Sequence, residues 1–574
     1  MARVRVLGCA LAAVLLAAGC GGPAGGVDDG GRDRSGGDVV TIVVGRTDAG
    51  GDASGAGDAA TSDALDGALH EGVDEGPSSG GPDAVRDAPD QPRPDASPDE
   101  PALPDAPPVE GEPDVARDVA AHEIAPLHDT RPKYLGTYAP AAMGSVVPAI
   151  AADGSTYLAG TFDTPTDFDP GTGEDLRTPT GNSDGFVTKL GPDGGYLWTK
   201  TFGGPSAQTL VTGVAVSGAS LVVSGGFTDE IDFDPDAGLQ NRRAASTNDV
   251  SGFVLRLTPA GAFAWVSTFT GTSTCQANGV ALDADGSVYV AGSFDGFCDL
   301  DPGDGADQHV ASGNQNGFLV KLAAADGRSI WAKSFDGDTC DGSLASVTTA
   351  GDGSVWATGH LSDACSLAGQ SAPTGATGNT GAGGAPGVTA AAIAAFTPDG
   401  APSGLGAILG GVAVSVAGAV DGSVYVGGWI TGVSSTDLDP GPGVDNRVVS
   451  PGADDPTGFV LKLGPGGAYR WAQATSRITT LALAATDDGG VIVLGWPVTD
   501  AQQTVAFTLT KRDPDGSSPW GIMVPGKTAD PSGLAAGSST FAVTGTTSGL
   551  IDLDPGSTVD SVRTGATFAS RYSF

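Results

Sequence analysis

One phrase recurs along this chain: Asp-x-Asp-Pro, then Gly-Phe-Val/Leu-x-Lys/Arg-Leu, then a Pro/Asp/Gly hairpin, then an aromatic strand ending near Thr/Ser-Phe. The clearest copies start at Asp167, Asp232, Asp299 and Asp437, and a truncated one starts at Asp552. A unit of roughly 50 to 70 residues is too small to bury a core alone, so it must stack on its neighbours. Any fold for this chain has to be an array of such units.

Each unit parses into four short strands. In the third these are Gly279-Val280-Ala281-Leu282, Ser287-Val288-Tyr289-Val290-Ala291-Gly292, Gly317-Phe318-Leu319-Val320-Lys321-Leu322 and Ser329-Ile330-Trp331-Ala332-Lys333-Ser334-Phe335. Short runs rich in Val, Tyr, Phe and Trp between Gly, Asp and Asn signal β-structure. Asp285-Gly286 and Asp326-Gly327 supply the turns, since glycine accepts positive φ. Four-stranded antiparallel units repeated in a ring are propeller blades.

Units begin near Val147, Thr212, Asn278, Leu344, Val414, Thr479 and Gly533, which predicts seven blades. The fourth is degenerate, with a Gly/Ala/Thr stretch from Gly369 to Gly387 in place of the Asp motif, and the sixth is short and also lacks that motif. The seventh stops at Phe568-Ala569-Ser570-Arg571-Tyr572, the counterpart of Phe186-Val187-Thr188-Lys189-Leu190, so its fourth strand is missing. Tyr134-Leu135-Gly136-Thr137-Tyr138 matches Trp198-Thr199-Lys200-Thr201-Phe202 and has no unit of its own. The expectation is an all-β, seven-bladed β-propeller over residues 131–574, its last blade completed by this N-terminal strand. Such pairing removes two open sheet edges.

The units resemble the bacterial exported β-propeller repeat of the SBBP type. The resemblance rests on Asp167-Phe168-Asp169-Pro170-Gly171, on Gly185-Phe186-Val187-x-Lys189-Leu190 and on Trp198-x-Lys200-Thr201-Phe202. It covers roughly Tyr134 to Phe574 and implies a fold and an exported setting, but no activity.

The first 19 residues read as an export signal, with Arg3 and Arg5 ahead of an apolar run from Val6 to Ala18 that is too short to span a bilayer. It closes on Leu16-Ala17-Ala18-Gly19-Cys20, which resembles the lipobox of bacterial lipoproteins and implies a lipid on Cys20. The alternative is an ordinary secretory peptide. Gly21 after the cysteine implies, by analogy with lipoprotein sorting, passage to the outer membrane or cell surface.

Residues 20–130 are dominated by Gly, Ala, Pro and Asp. From residue 21 onward they carry 25 acidic and 6 basic side chains. A segment of that composition cannot offset the entropy of ordering and is expected to be a disordered tether. The net charge of −40 leaves no basic patch for phosphates, which argues against nucleic acid as a partner.

Four cysteines lie beyond the signal. Cys275 and Cys340 follow fourth-strand phenylalanines, while Cys298 and Cys365 each lie four residues past a second strand. Their equivalence in the repeat selects the pairs 275–298 and 340–365 from three pairings. A metal site is the rival reading.

Chemistry is harder to find. Asp167, Asp169 and Asp175 occupy positions 1, 3 and 9 of a Gly-rich turn, as do Asp299, Asp301 and Asp307, then Asp437, Asp439 and Asp445, then Asp552, Asp554 and Asp560. Alternating oxygens could curl around calcium; alternatively the carboxylates cap backbone N–H groups of a tight turn. Lys189, Arg256, Lys321, Lys462 and Arg571 recur in the third strand, either as a basic ring for an anion or, as preferred here, as partners of Asp residues. Trp198, Trp265, Trp331, Trp471 and Trp520 recur in the fourth strand and are expected to pack blade on blade. The Asp-Gly…Trp-x-Lys run is similar to the tryptophan-docking repeat of quinoprotein dehydrogenases, without the rest of that pattern.

Gly181-Asn182-Ser183-Asp184-Gly185 fits a nucleophile elbow but precedes a strand, so it reads as a turn. His70, His122 and His128 lie in the tether, and His309 and His360 stand without an evident partner. The resulting expectation is a monomeric, lipid-anchored, non-enzymatic binding or scaffolding module for an extracellular protein or glycan. No cofactor is required beyond the calcium alternative. The competing expectation is an extracellular polysaccharide hydrolase or lyase, or a quinone-dependent dehydrogenase.

Overall fold

The computed structural model describes residues 132–574 apart from 140–143, 304, 338–339, 362–364, 372–388, 450–455, 498–504, 527–528, 550, 555–560 and 563–565. The export signal, Cys20, the acidic tether, Asp560 and most of the Gly369–Gly387 stretch lie outside the described residues.

Among the described residues the chain is all-β, and its longer strands form seven four-stranded antiparallel groups. The first joins Val146–Ile150, Thr156–Phe162, Asp184–Leu190 and Tyr196–Phe202. The second joins Thr209–Ser217, Ser220–Phe227, Val250–Leu257 and Phe263–Gly271, and the third Thr274–Leu282, Val288–Phe294, Asn316–Leu322 and Ser329–Asp336. These two are also linked by a short parallel bridge at Val250–Thr274 and Ser251–Cys275. The fourth joins Gly342–Thr349, Val355–Leu361, Ala390–Phe396 and Pro402–Leu409; the fifth joins Gly411–Gly418, Val424–Ile430, Thr457–Leu463 and Tyr469–Ser476. The sixth joins Ile478–Ala485, Val491–Pro497, Val505–Arg512 and Gly521–Pro525.

The seventh group contains Ala529–Ala536, Thr540–Thr547 and Ala566–Ser573, with Lys133–Tyr138 as its fourth strand. Tyr134 pairs with Tyr572, Thr137 with Ser570 and Tyr138 with Ala569. The orphan N-terminal strand thus lies where the repeat needs it. Its Thr137 hydroxyl also meets Ser570 at 2.8 Å.

Burial follows position within each sheet. Second and third strands such as Val288–Phe294, Asn316–Leu322 and Val424–Ile430 are buried at every residue, because sheets cover both of their faces. Such strands read as continuous apolar runs. Fourth strands such as Tyr196–Phe202 carry exposed and half-buried residues.

A glycine in the second strand repeatedly faces a third-strand phenylalanine. A Cβ on Gly160, Gly292 or Gly545 would come within 2.9 Å, 2.2 Å or 2.8 Å of the ring of Phe186, Phe318 or Phe568. Glycine is required there for space, and the ring fills it.

The Asp motifs cap small two-stranded ribbons between second and third strands, for example Thr166–Asp167 with Leu176–Arg177 and Ser435–Asp437 with Asn446–Val448. Both expected disulfides are present: Cys275–Cys298 with a Cα separation of 5.8 Å, and Cys340–Cys365 with 4.6 Å. Loops of 23 and 25 residues each correspond to about 3 kcal/mol in the chain-entropy model.

Candidate functional site

The first strands of all seven sheets converge on one cavity of about 340 Å³. The strand Val146–Ile150 packs against Thr209–Ser217, which packs against Thr274–Leu282, and so on through the sheets. Ala529–Ala536 of the seventh sheet packs in turn against Val146–Ile150.

Backbone bulges shape this cavity. Six of the first strands shift register once, at Thr212, Asn278, Ala345, Val414, Leu481 and Ser532. Each bulged residue lines the cavity. A bulge inserts an extra residue and re-aims its side chain, so the wall receives a side chain that regular pairing would have placed elsewhere. Nothing in the repeat phrase signals these positions, since the six share no residue type.

Several bulged side chains also rivet one sheet to the next. Thr212 Oγ1 donates to the Ala277 carbonyl at 2.7 Å, Asn278 Nδ2 to the Leu344 carbonyl at 2.9 Å and Ser532 Oγ to the Val146 carbonyl at 2.7 Å. The cavity wall is made of Ser, Thr, Asn, Gly, Ala, Val, Leu and Pro, and no lining residue is titratable. Such a wall offers hydrogen bonds and apolar contact but no acid, base or ion pair.

The Asp motifs resolve into turn caps. Asp167 Oδ1 accepts the N–H groups of Asp169 and Asp175 at 3.0 and 2.9 Å. Asp232 does the same for Asp234 and Gln240, Asp299 for Asp301 and Asp307, and Asp437 for Asp439 and Asp445. Asp552 accepts from Asp554 at 3.2 Å.

The second Asp then caps the residue two further on, as Asp169 does for Gly171 at 3.1 Å. The third Asp turns away to its own partners. Asp175 takes Arg177 Nε at 2.6 Å together with the Tyr196 hydroxyl, and Asp445 takes Arg447 Nε at 2.7 Å together with the Tyr469 hydroxyl. Burial and that hydrogen bond push the Tyr196 phenol up to about 12. Burial opposes ionisation of Asp445, yet Arg447 and Tyr469 hold its carboxyl below the ordinary value.

With the carboxylates so divided, no three His, Cys, Asp or Glu side chains among the described residues form a metal-binding group. Among the described residues these carboxylates act as turn caps and as partners of Arg177, Arg447 and two tyrosines. The clamp from Arg177, Arg447 and, in the third unit, His309 was missed from sequence. Its only signal is a basic residue two after the third Asp.

Asp pairing, the expectation for the third-strand cations, is found at Lys321 and Lys462, but it is not what the five have in common. Their shared partner is a backbone carbonyl in the hairpin of the following sheet. Lys189 donates to Pro259 at 3.4 Å, Lys321 to Pro398 at 3.1 Å and Lys462 to Pro514 at 3.5 Å, while Arg256 donates to Ala324. Arg571, in the seventh sheet, donates to Pro192 of the first at 2.7 Å.

Asp residues are secondary partners, 3.6 Å from Lys321 (Asp283) and 3.7 Å from Lys462 (Asp421). Lys189, Lys321 and Lys462 also lie 5.0, 4.9 and 5.1 Å from the ring centres of Tyr157, Tyr289 and Tyr425, within cation–π range. These cations hold sheets together and do not face a common ligand.

The tryptophans share the same hairpins. Trp265, Trp331 and Trp471 donate to Ala324, Pro398 and Pro514 at 3.1, 3.2 and 3.0 Å. The hairpin glycine lies against the indole: a Cβ on Gly327 would sit 2.6 Å from Trp265, and one on Gly400 2.8 Å from Trp331. Trp198 meets Tyr157 of its own sheet edge-on at 6.1 Å, and Trp520 stacks on Phe541 of the next sheet at 5.9 Å.

Neither described histidine is alone, which corrects the sequence reading. His360 is buried and its Nδ1 meets Ser343 Oγ at 3.1 Å, and burial pushes its imidazole below the ordinary value. His309 Nδ1 meets Ser334 Oγ at 2.8 Å, and its Nε2 lies 3.2 Å from Asp307. In the Gly181–Gly185 run, Ser183 Oγ donates to the Thr209 carbonyl at 3.1 Å and Asp184 caps Thr180 and Gly181. That run is a turn.

No protein-family model matches the chain, and no curated protein matches it. Solved structures similar to it include the Dos1 propeller, at 11% identity and a TM-score of 0.33 over 77% of this chain and 95% of that one. A quinohemoprotein alcohol dehydrogenase from Comamonas testosteroni gives 11% identity and 0.33 over 76% of each chain. A protein of unknown function from Bacteroides caccae gives 10% identity and 0.27 over 59% of this chain and 89% of that one. At these scores the likenesses carry no functional weight.

Proposed function

We propose that this chain is a seven-bladed β-propeller, closed into a ring by its N-terminal strand, that acts as a non-enzymatic binding or scaffolding module at a bacterial cell surface. The cavity lined by one strand from each of seven sheets supports the ring. So do two contacts from the seventh sheet to the first, Ser532 to Val146 and Arg571 to Pro192. The observation that carries the binding reading is the cavity wall, which offers hydrogen bonds and apolar surface without a titratable group.

The exported setting is supported by two disulfides, which persist in oxidising compartments, and by the lipobox-like run ending at Cys20. In this reading Cys20 carries the lipid, residues 20–130 form the tether, and the propeller is monomeric with an extracellular protein or glycan as its partner. Fatty-acid labelling that is lost in Cys20→Ala tests the anchor. Glycan and protein arrays probed with the full chain test the module. Turnover of a polysaccharide, or quinone-dependent oxidation of an alcohol, by the purified chain would replace this reading with the enzymatic one.

A further inference from the structure

A second cavity, of about 250 Å³, opens between the fifth and sixth sheets. The repeat itself serves as the control for reading it. At the position of Arg512 the other six sheets carry Leu190, Leu257, Leu322, Phe396, Leu463 and Tyr572, by the strand registers. All six are buried. The sixth sheet alone places a guanidinium there.

Four residues earlier, Thr508 stands where five of the others carry a buried phenylalanine: Phe186, Phe253, Phe318, Phe459 and Phe568. The facing glycine, Gly495, is retained. Thr508 Oγ1 and Ile478 Cγ2 lie over that glycine, 2.5 and 2.7 Å from where a Cβ would be, but a threonine is smaller than the ring it replaces, and the cavity of about 250 Å³ lies beside it.

Thr508, Thr510 and Arg512 alternate along one strand and so share a face. Opposite them the fifth sheet contributes Gln473 and Val460, and Thr480 closes the inner side. No acidic side chain lines the cavity. The Arg512 guanidinium has no hydrogen-bond or ion-pair partner among the described residues, and burial pushes it below the ordinary value. A half-buried, unpaired cation is unfavourable until an anion meets it.

We infer that the cleft between the fifth and sixth sheets binds a small hydroxylated carboxylate of sugar-acid type. The carboxylate would lie against Arg512, and its hydroxyl groups against Thr510 and against the acceptor oxygens Thr508 Oγ1 and Gln473 Oε1, side chains that already donate to the Gly495 and Gly516 carbonyls. A single planar guanidinium suits one carboxylate in a two-pronged pair. Threonine and glutamine beside apolar Val460 suit a ring with hydroxyls on its edge and an apolar face. The inference needs only these two sheets and stands whether or not the ring closes.

The test is calorimetric titration of the full chain with D-glucuronate, with glucose and inorganic phosphate as comparisons. Saturable binding of glucuronate, absent with glucose and weaker with phosphate, is expected. Arg512→Leu and Thr508→Phe install what sister sheets carry, so both should melt at or above the parent and bind glucuronate at least tenfold more weakly. A short oligogalacturonide separates sources: binding as tight as or tighter than the monomer points to acidic polysaccharide, weaker binding to free sugar acid. Glucuronate binding that equals glucose binding, survives Arg512→Leu in a folded variant, or is exceeded by phosphate would overturn the inference.

Discussion

Replacing Gly400 with alanine should separate two costs that the sheet-to-sheet contact combines. Gly400 has φ +83° and lies on the indole of Trp331 in the preceding sheet, where a Cβ would come within 2.8 Å of the ring. Alanine in a left-handed conformation costs about 1–2 kcal/mol. Forcing a methyl group into a packed contact adds about 1–3 kcal/mol, for a total of about 2–5 kcal/mol.

Gly466 supplies the control. It has φ +73° in the equivalent hairpin of the fifth sheet, with nothing within 4 Å of a Cβ. Gly466→Ala should therefore carry only the backbone cost of about 1–2 kcal/mol. With an unfolding entropy of about 2.1 cal/mol/K per residue, about 440 residues melting together give roughly 1 °C per kcal/mol. Differential scanning calorimetry of the full chain should then show a drop of about 2–5 °C for Gly400→Ala and about 1–2 °C for Gly466→Ala. If the two variants melt together, the indole–glycine contact is not a packed interface, and the account of why the hairpin and tryptophan recur is wrong.

Two further outcomes follow from the same contacts. Asp167→Ala should cost about 1–3 kcal/mol by leaving the Asp169 and Asp175 N–H groups without their acceptor, while Asp167→Asn, which keeps that oxygen, should cost little. EDTA should leave the melting midpoint of the parent unmoved in calorimetry, whereas a calcium site would make it fall and would make asparagine nearly as harmful as alanine. His360, kept neutral by burial below its ordinary value of 6.5, contributes stability that is complete above pH 6.5 and lost as pH falls through its depressed folded value. Melting midpoints measured from pH 7.5 to 5 should fall in the parent and fall less in His360→Gln.

Much of the fold is legible in the chain because the repeat aligns side chains of fixed type. The seven unit starts, from Val147 to Gly533, each fall inside a first strand, and Tyr134–Tyr138 pairs with the last strand as its match to Trp198–Phe202 requires. Cysteine pairing is legible for the same reason. What stayed hidden is carried by backbone. The bulges that feed the central cavity fall on Thr212, Asn278, Ala345, Val414, Leu481 and Ser532, which have no common chemistry. The partners that Lys321 and Arg571 share are hairpin carbonyls, which a sequence shows at every position and therefore at none. Arg512 carries no signal in the sequence, because the sixth unit lacks the Asp motif that fixes register elsewhere. Only the strand pairing shows that it occupies the position of Leu190 and its equivalents.

Ring closure is tested most directly by native-state hydrogen exchange, read by mass spectrometry, across the seven sheets. In an open stack the end units fray first, since each unit is held only by its neighbours. A closed ring has no end. The account predicts that amides of Val146–Ile150 and Ala566–Ser573 exchange as slowly as those of Val288–Phe294 and Val424–Ile430 and open with them in one step. Markedly faster exchange in the first and seventh sheets, with the middle sheets still protected, would contradict it.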